Sequence, residues 1–301
     1  MKKRMILLMA AMVCLLAACG AKEAPAEPLA PPEQSVELPP PPPEEKETIR
    51  YTVSTDTLEE TVRLENGTVL LISRYSLPVL NAHREDGSVI AEAETEKEAA
   101  ALETVGVFNE AFITWTDEED YEGDLAETAA ADYAWRTQEG IEWVGNYAVD
   151  LSCTAYQTER MVSVSGLYYS YTGGAHGNSG YLSWNFDLEN GAFFGPELLG
   201  GGAELQTAVT EELIRQCEAK AEESGLTAGE LLWQDYEAIL ADWQSAAISF
   251  DENGMIISYS PYELAAYAAG AQIFEIPYEF QKPYLSLQGL EVLGLAEEPG
   301  A

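Results

Sequence analysis

The sequence has only two histidines, His83 and His176, among its 301 residues. A zinc hydrolase site needs two or more imidazoles close together, commonly spaced as H-x-x-x-H or H-E-x-x-H. Neither spacing occurs, and the G-x-S-x-G motif of serine hydrolases does not occur either. These gaps exclude zinc deacetylases and metalloproteases, so we predict no metal, no other cofactor and no catalytic residue.

Basic residues are also scarce. The chain has 15 lysines and arginines against 52 aspartates and glutamates, which gives a formal charge of −37. Nucleic acids and anionic lipid surfaces repel a chain of this charge. We therefore expect no nucleic-acid partner. The acidic excess serves solubility or steers a cationic partner toward the protein, and charge alone does not separate these two roles.

The N-terminus has the pattern of a secreted lipoprotein. The basic segment Lys2–Arg4 precedes the apolar run Met5–Leu15, which is too short for a membrane-spanning helix of about 20 residues and is typical of a signal peptide. Residues Leu16–Gly20 (Leu-Ala-Ala-Cys-Gly) resemble a bacterial lipobox, which implies cleavage before Cys19 and a lipid on its thiol. An ordinary signal peptide that ends near a cysteine is the alternative. We expect residues 1–18 to be removed, and the protein to contact the outer face of the cell membrane by the lipid anchor alone.

Residues 19–47 form a predicted tether. Nine of the 15 prolines lie there, five of them consecutive at Pro39–Pro43, and no apolar pattern recurs that would build a core. Polyproline segments are stiff and rise about 3.1 Å per residue, so the tether would hold the folded body up to roughly 80 Å from the membrane.

Two cysteines, Cys153 and Cys217, remain in the body of the chain. Cys153 continues a period-two apolar row in a predicted strand, and Cys217 continues an apolar row at spacing four in a predicted helix. Both side chains are therefore expected to face a core. They are either two buried thiols or a disulfide, which the extracytoplasmic location would allow.

Apolar periodicity predicts an α+β fold with largely antiparallel sheets, helices packed on one side, and two subdomains. Strands are predicted at 49–53, 64–77 (a hairpin around Asn66-Gly67), 147–156, 161–171, 182–188, 248–250, 255–259 and 272–276. One helix is predicted to begin at Thr95, and others are predicted at 125–135, 203–219 and 228–243. Strands and helices occur in blocks, which favours α+β over a doubly wound fold. We place the subdomains at 48–193 and 194–286, followed by a tail at 287–301.

Two tyrosine-rich stretches carry the candidate site, residues 168–177 and 259–270. The first ends a strand with three glycines around one histidine, and glycine lets another group approach the backbone closely. Tyrosine offers a flat apolar face and a hydroxyl, which suits sugar rings or a protein surface. The candidate ligand-binding residues are Tyr169, Tyr171, Gly173, Gly174, His176, Tyr262 and Tyr267. The alternatives are a tight turn with core-packed tyrosines for the first stretch and a small helix under the sheet for the second.

The two stretches together resemble the extracytoplasmic module of RsiV-type anti-sigma factors and the non-catalytic N-terminal region of PdaC-type peptidoglycan deacetylases. The shared motifs are Tyr-x-Tyr-Thr-Gly-Gly-Ala-His-Gly at 169–177, Asn-Phe-Asp-Leu at 185–188, and Pro-Tyr-Glu-x-Ala-x-Tyr-Ala-Ala-Gly at 261–270 followed by Ile-Pro-Tyr at 276–278. Ala266 departs from the pattern, where a proline is expected before Tyr267. The resemblance covers roughly residues 48–286, with a PdaC-like first subdomain and an RsiV-like second one.

The resemblance implies a non-catalytic binding module, because RsiV-type proteins bind lysozyme with this domain. We expect the module alone on a lipid tether, without the deacetylases' zinc domain. Its predicted partner is peptidoglycan glycan or a cationic protein such as lysozyme. Two alternatives stay open: a peptidoglycan-modifying enzyme, with His176 and a carboxylate as acid and base, and an envelope assembly protein.

Overall fold

A computed structural model describes residues 48–117 and 119–296. The predicted signal peptide, Cys19, the predicted tether and the end of the predicted tail lie outside the described residues. The described part contains two sheets, mostly antiparallel, with seven α-helices packed against them. The predicted α+β class is therefore confirmed. No helix within these residues is long and apolar enough to cross a membrane.

The first sheet has six strands in chain order. They are β1 (Arg50–Arg63), β2 (Val69–His83), β3 (Tyr147–Gln157), β4 (Met161–Tyr171), β5 (Asn178–Asp187) and β6 (Ala192–Phe194). The hairpin predicted at Asn66-Gly67 joins β1 to β2, where Gly67 has a φ of 87° and the Leu64 N–H donates to the Thr68 carbonyl. Strands β3 and β4, both predicted, pair antiparallel.

One pair in this sheet, β2 and β3, is parallel, because two helices separate the strands along the chain. These helices are α1 (Glu96–Asp117) and α2 (Glu119–Glu139). The parallel ladder ends at Ser76 and Ser152, just before Pro78, which has no N–H to donate. Beyond it, the Asn109 side chain of α1 bonds both the N–H and the carbonyl of Leu80, at 2.8 and 3.0 Å.

Helices α1 and α2 cover one face of the first sheet. Phe108 and Phe112, on the apolar face of α1, are fully buried, and the Phe108 ring lies edge-on to that of Phe186 in β5 with centroids 5.3 Å apart. Alternate residues of β3, such as Val149 and Leu151, enter the same core. The opposite face of β3, β4 and β5 is therefore turned away from these helices.

The second sheet has three strands, β7 (Ala247–Phe250), β8 (Gly254–Tyr259) and β9 (Gln272–Pro277). Helix α3 (Gly202–Glu223) packs on this sheet and forms a second hydrophobic core with it. Leu205, Val209 and Leu213 of α3 are buried there, as their spacing predicted. The shorter helices are α4 (Ala228–Leu231), α5 (Tyr236–Ala241), α6 (Tyr278–Gln281) and α7 (Leu287–Val292), with 3₁₀ turns at Pro196–Leu199, Trp243–Ser245, Tyr267–Ala269 and Lys282–Tyr284.

The single helix predicted over 228–243 is wrong, because the chain breaks into α4, α5 and a 3₁₀ turn. Leu232 has a ψ of 174°, which is extended backbone. The next residue, Trp233, donates its N–H to the Leu264 carbonyl and its indole N–H to the Tyr262 carbonyl. Two tertiary hydrogen bonds to the loop after β8 therefore replace the helical ones, and apolar spacing does not reveal such a partner.

A small buried hydrogen-bond network joins the two sheets. The Phe250 N–H donates to the Ser163 hydroxyl, which donates in turn to the Asn185 side-chain oxygen, at 2.7 and 2.8 Å. The Asn185 amide donates to the Ile248 carbonyl at 2.9 Å. Ser163 and Asn185 lie on the sheet face opposite α1, so β7 covers this end of that face.

The two cysteines of the body are both free and buried. Cys153 lies in the first core and Cys217 in the second. Of the two possibilities left by the sequence, the structure has buried thiols.

Candidate functional site

The face of the first sheet that β7 covers at one end is open at the other, where β3, β4 and β5 carry Asp150, Tyr169 and Ser179 side by side. An open groove of about 610 Å³ lies there, bounded on its far side by the loop after β8. The groove is lined by Asp150, Ser152, Leu167, Tyr169, Ser179, Tyr181, Pro261, Tyr267, Gly270 and Ala271. We call it the tyrosine groove.

Four of the candidate residues come together at this groove, from two distant parts of the sequence. The imidazole of His176 stacks on the ring of Tyr267, with centroids 4.1 Å apart and planes at 20°. The ring of Tyr262 lies 5.4 Å from that of Tyr267. Tyr169 and Tyr267 line the groove itself, while His176 and Tyr262 lie exposed against Tyr267 at its edge.

Gly177 explains how the loop after β4 folds over its own strand. A Cβ at this position would stand 2.4 Å from the Tyr169 ring, so any side chain here would force that ring to move. The Gly177 carbonyl also accepts a hydrogen bond from the Tyr267 hydroxyl at 3.2 Å. One glycine therefore brings two of the three tyrosines that line the groove, Tyr169 and Tyr267, close to the same backbone.

The remaining candidates lie beside the groove rather than in its lining, with Tyr171 at the end of β4 and Gly173 and Gly174 in the turn that follows. Tyr171 is on the same sheet face as Tyr169, but its hydroxyl donates to the Gly174 carbonyl at 3.0 Å. Both glycines have positive φ, 86° and 106°, which the turn requires. The structure thus gives these three residues a role in shaping the turn, which is the alternative considered for the first stretch.

The tyrosines of β4 divide between the two faces of the sheet. Tyr168 points to the helix side, where its ring lies 6.2 Å from that of Trp115. Tyr169 is 36% exposed, so it is not packed in the core. Strand alternation separates the structural tyrosine from the one that a ligand can reach.

Tyr262 has an unusual backbone conformation. Its φ is 76°, the only positive value among non-glycine residues in the part of the chain that is described. A bulky side chain in the left-handed region costs of order 1–3 kcal/mol, and such strain concentrates at functional sites. Hydrogen bonds from Tyr262 N–H to Ala265 and from the Trp233 indole to the Tyr262 carbonyl hold it there. Tyr262 as a whole is 54% exposed.

Asp150, at the floor of the groove, is a site residue that sequence reasoning missed. It alternates with the buried residues Val149 and Leu151, so the strand pattern itself placed it on the open face. Arg74 of β2 lies 3.6 Å from Asp150, but the same guanidinium is bound to Glu59 of β1 at 2.9 Å. Two carboxylates share one cation, which leaves a net negative charge beside the tyrosines.

Within the ranges 48–117 and 119–296, no group of three or more histidine, cysteine, aspartate or glutamate side chains is arranged to hold a metal ion. What the groove offers chemically is flat aromatic surface, several hydroxyls and one carboxylate. These groups recognise a ligand through stacking, cation–π contacts and charge.

Residues 197–279 match the model of the DUF3298 family, described as a protein of unknown function. The match covers less than half of the chain, so it is a likeness to that family over this region. The matched region supplies Tyr262 and Tyr267, whereas Asp150, Tyr169 and His176 precede it, so the groove combines the matched region with the first sheet. No curated protein matches the sequence.

Two solved DUF3298 structures resemble the chain. A family member from Bacteroides fragilis NCTC 9343 is 17% identical, with a TM-score of 0.59 over 84% of this chain and 100% of that one. A DUF3298 family protein from Pseudomonas aeruginosa PAO1 is 14% identical, with a TM-score of 0.48 over 79% of this chain and 95% of that one. At 17% identity, the first likeness shows a shared fold.

Proposed function

We propose that this protein is a lipid-anchored binding module on the outer face of the cell membrane, and that its tyrosine groove receives a cationic protein such as lysozyme. The observation that carries the proposal is the position of Asp150 among Tyr169, Tyr181 and Tyr267. A lysine or arginine side chain entering the groove would meet a carboxylate and three aromatic rings together.

The charge of the whole chain supports the same partner. A formal charge of −37 attracts a basic protein over a distance and raises its association rate, most strongly at low salt. The resemblance of residues 48–286 to RsiV-type modules points to lysozyme. The lipid on Cys19 and the proline-rich tether would hold the module up to roughly 80 Å from the membrane, in the layer through which a protein that attacks the envelope arrives.

Binding of purified lysozyme to the soluble body, without signal peptide and lipid, tests this function. Asp150→Asn should weaken binding about threefold to tenfold, since a half-exposed charge pair contributes roughly 1 kcal/mol. Tyr169→Ala should weaken it further. Asp124→Asn, an exposed position on α2 across the sheet, is the control and should bind normally. No lysozyme binding at low salt would refute the proposal.

Peptidoglycan glycan is the second candidate ligand, favoured by the stack of His176, Tyr267 and Tyr262 at the edge of the groove. Flat stacked rings suit the apolar faces of sugars. Glycan strands in the same assay distinguish the two ligands, because glycan binding should respond to Tyr169→Ala and Tyr262→Ala but little to Asp150→Asn or to salt.

The lipid anchor has its own test. Palmitate should label the wild-type protein in cells and should not label a Cys19→Ala variant. Absence of label on the wild type would remove the anchor from the proposal without affecting the groove.

A further inference from the structure

Strand β1 is the edge of the first sheet, and most of its outer side is unpaired. Two outward N–H groups bond side chains: Val53 donates to the Gln157 side chain at 3.0 Å, and Thr57 donates to Asp56 at 2.9 Å. These two residues fix which N–H groups point away from β2, since the direction alternates along a strand. The amides of Thr55, Glu59 and Thr61 share that direction, and no backbone of the described residues pairs with them.

A cavity adjoins this edge on the side of helix α1. It has a volume of about 570 Å³. Its apolar lining includes Leu58 of β1, Tyr75 and Leu77 of β2, and Phe112 and Ile113 of α1. Leu58 is 41% exposed and lies on β1 itself, so the cavity opens directly beside the free strand edge. A strand added to β1 would direct alternate side chains toward this opening.

The side chains that flank Leu58 on the same face of β1 are acidic. Asp56 and Glu60 stand two residues before and after it, and both are exposed. Side chains directly opposite one another on paired strands interact, and opposite charges stabilise the pair. The edge therefore favours an incoming strand with an apolar residue opposite Leu58 and basic residues at the two flanking positions.

We propose that the β1 edge binds an extended segment of a partner protein with the pattern basic-x-apolar-x-basic, by adding it as a seventh strand to the first sheet. Backbone hydrogen bonds to Thr55, Glu59 and Thr61 hold the segment, and the apolar residue fills the cavity beside Leu58. A second copy of this chain is disfavoured as the occupant, because each copy has a formal charge of −37. This surface lies at the sheet edge, apart from the tyrosine groove, and the proposal does not depend on the function assigned to that groove.

The Asp56 carboxylate blocks one of the backbone hydrogen-bond donors on this edge. It occupies the Thr57 N–H, which a fully paired partner strand would use. Edge strands commonly carry charged side chains that discourage indiscriminate pairing. A lysine or arginine opposite Asp56 would draw the carboxylate away from that N–H. A basic partner would therefore both free the Thr57 N–H and form an ion pair with Asp56.

Amide hydrogen exchange with synthetic peptides tests the proposal on the intact body of the protein. The probe is a short peptide that alternates threonine with lysine, leucine and lysine; the matched peptide has glutamate in place of both lysines. The lysine peptide should slow exchange at Thr55, Glu59 and Thr61. The glutamate peptide should leave these amides unprotected.

Leu58→Ser should weaken binding of the lysine peptide by about tenfold or more, because the buried apolar contact is lost. Leu226→Ser is the control, since Leu226 is 42% exposed and lies in the turn after α3. Equal protection by both peptides, no protection by either, or unchanged binding to Leu58→Ser would overturn the proposal. Protection that rises with protein concentration in the absence of peptide would identify a second copy as the occupant and would also overturn it.

Discussion

The imidazole of His176 lies on the ring of Tyr267, with centroids 4.1 Å apart, although the two residues come from connecting segments of different sheets. The hydroxyl of the same tyrosine donates to the carbonyl of Gly177, the residue after the histidine. This pair joins the loop after β4 to the loop after β8, so it fixes the mouth of the tyrosine groove.

Replacing Tyr267 should separate the two contributions of its side chain. Tyr267→Phe keeps the stack and loses the hydrogen bond, so the free energy of unfolding should fall by about 0.5–1.5 kcal/mol with the groove still formed. Tyr267→Ala also removes the ring and should abolish ligand binding. Urea unfolding and the binding assay measure the two effects.

Tyr284→Phe is the control, because the Tyr284 hydroxyl has no hydrogen bond among the described residues. If Tyr284→Phe lowers the free energy of unfolding as much as Tyr267→Phe does, the hydrogen bond to Gly177 is not the cause.

Gly177→Ala should change the groove more than the stability. The new Cβ would meet the outer atoms of the Tyr169 ring at 2.4–2.5 Å, and an exposed ring can turn aside. We expect a change of at most about 1 kcal/mol in the free energy of unfolding, together with a clear loss of ligand affinity as Tyr169 leaves the lining. Gly106→Ala in α1 meets open space and should instead add about 0.5–1 kcal/mol. Unchanged affinity in Gly177→Ala would show that Tyr169 does not contact the ligand.

Local pattern was sufficient for most of the fold because the decisive signals are local. The β1–β2 hairpin follows from Asn66-Gly67, and α1 follows from an apolar face that includes Phe108 and Phe112. The break between α4 and α5 was not predictable, because it depends on hydrogen bonds from Trp233 to a loop about 30 residues further along. Apolar spacing reports which face is buried, not which backbone group has found another partner.

The candidate site was likewise only partly predictable from the sequence. Aromatic and glycine-rich composition located both halves of the groove, yet the contact of His176 with Tyr267 depends on how the two sheets pack. Asp150 was overlooked because acidic residues are common in this chain, and only its neighbours in the sheet, Tyr169 and Arg74, distinguish it. Its alternation with Val149 and Leu151 was the available signal.

The two buried thiols should make the protein less stable in alkali. Burial raises the pKa of both Cys153 and Cys217 from 9.0 to about 12, so the folded state retains two protons that the unfolded chain releases. The stabilisation of the folded state by these two buried thiols is complete below pH 9 and is lost as the pH rises from 9 toward 12. Urea unfolding at a series of pH values should show this decline, and it should be smaller in a Cys153→Ala, Cys217→Ala double variant. Rapid modification of either thiol in the native protein at pH 8 would contradict the burial on which this prediction depends.

The strained backbone at Tyr262 allows stability and binding to be separated at one position. Asparagine tolerates a φ of 76° better than other residues with a Cβ, whereas alanine keeps the strain. Tyr262→Asn and Tyr262→Ala lose the same ring contact with Tyr267, so the asparagine variant should be more stable than the alanine variant by roughly 0.5–1 kcal/mol. Both should bind ligand more weakly than the wild type, to a similar degree, because the exposed ring is gone. Equal stability of the two variants would mean that Tyr262 stores no strain, and full affinity in both would place its ring outside the binding surface.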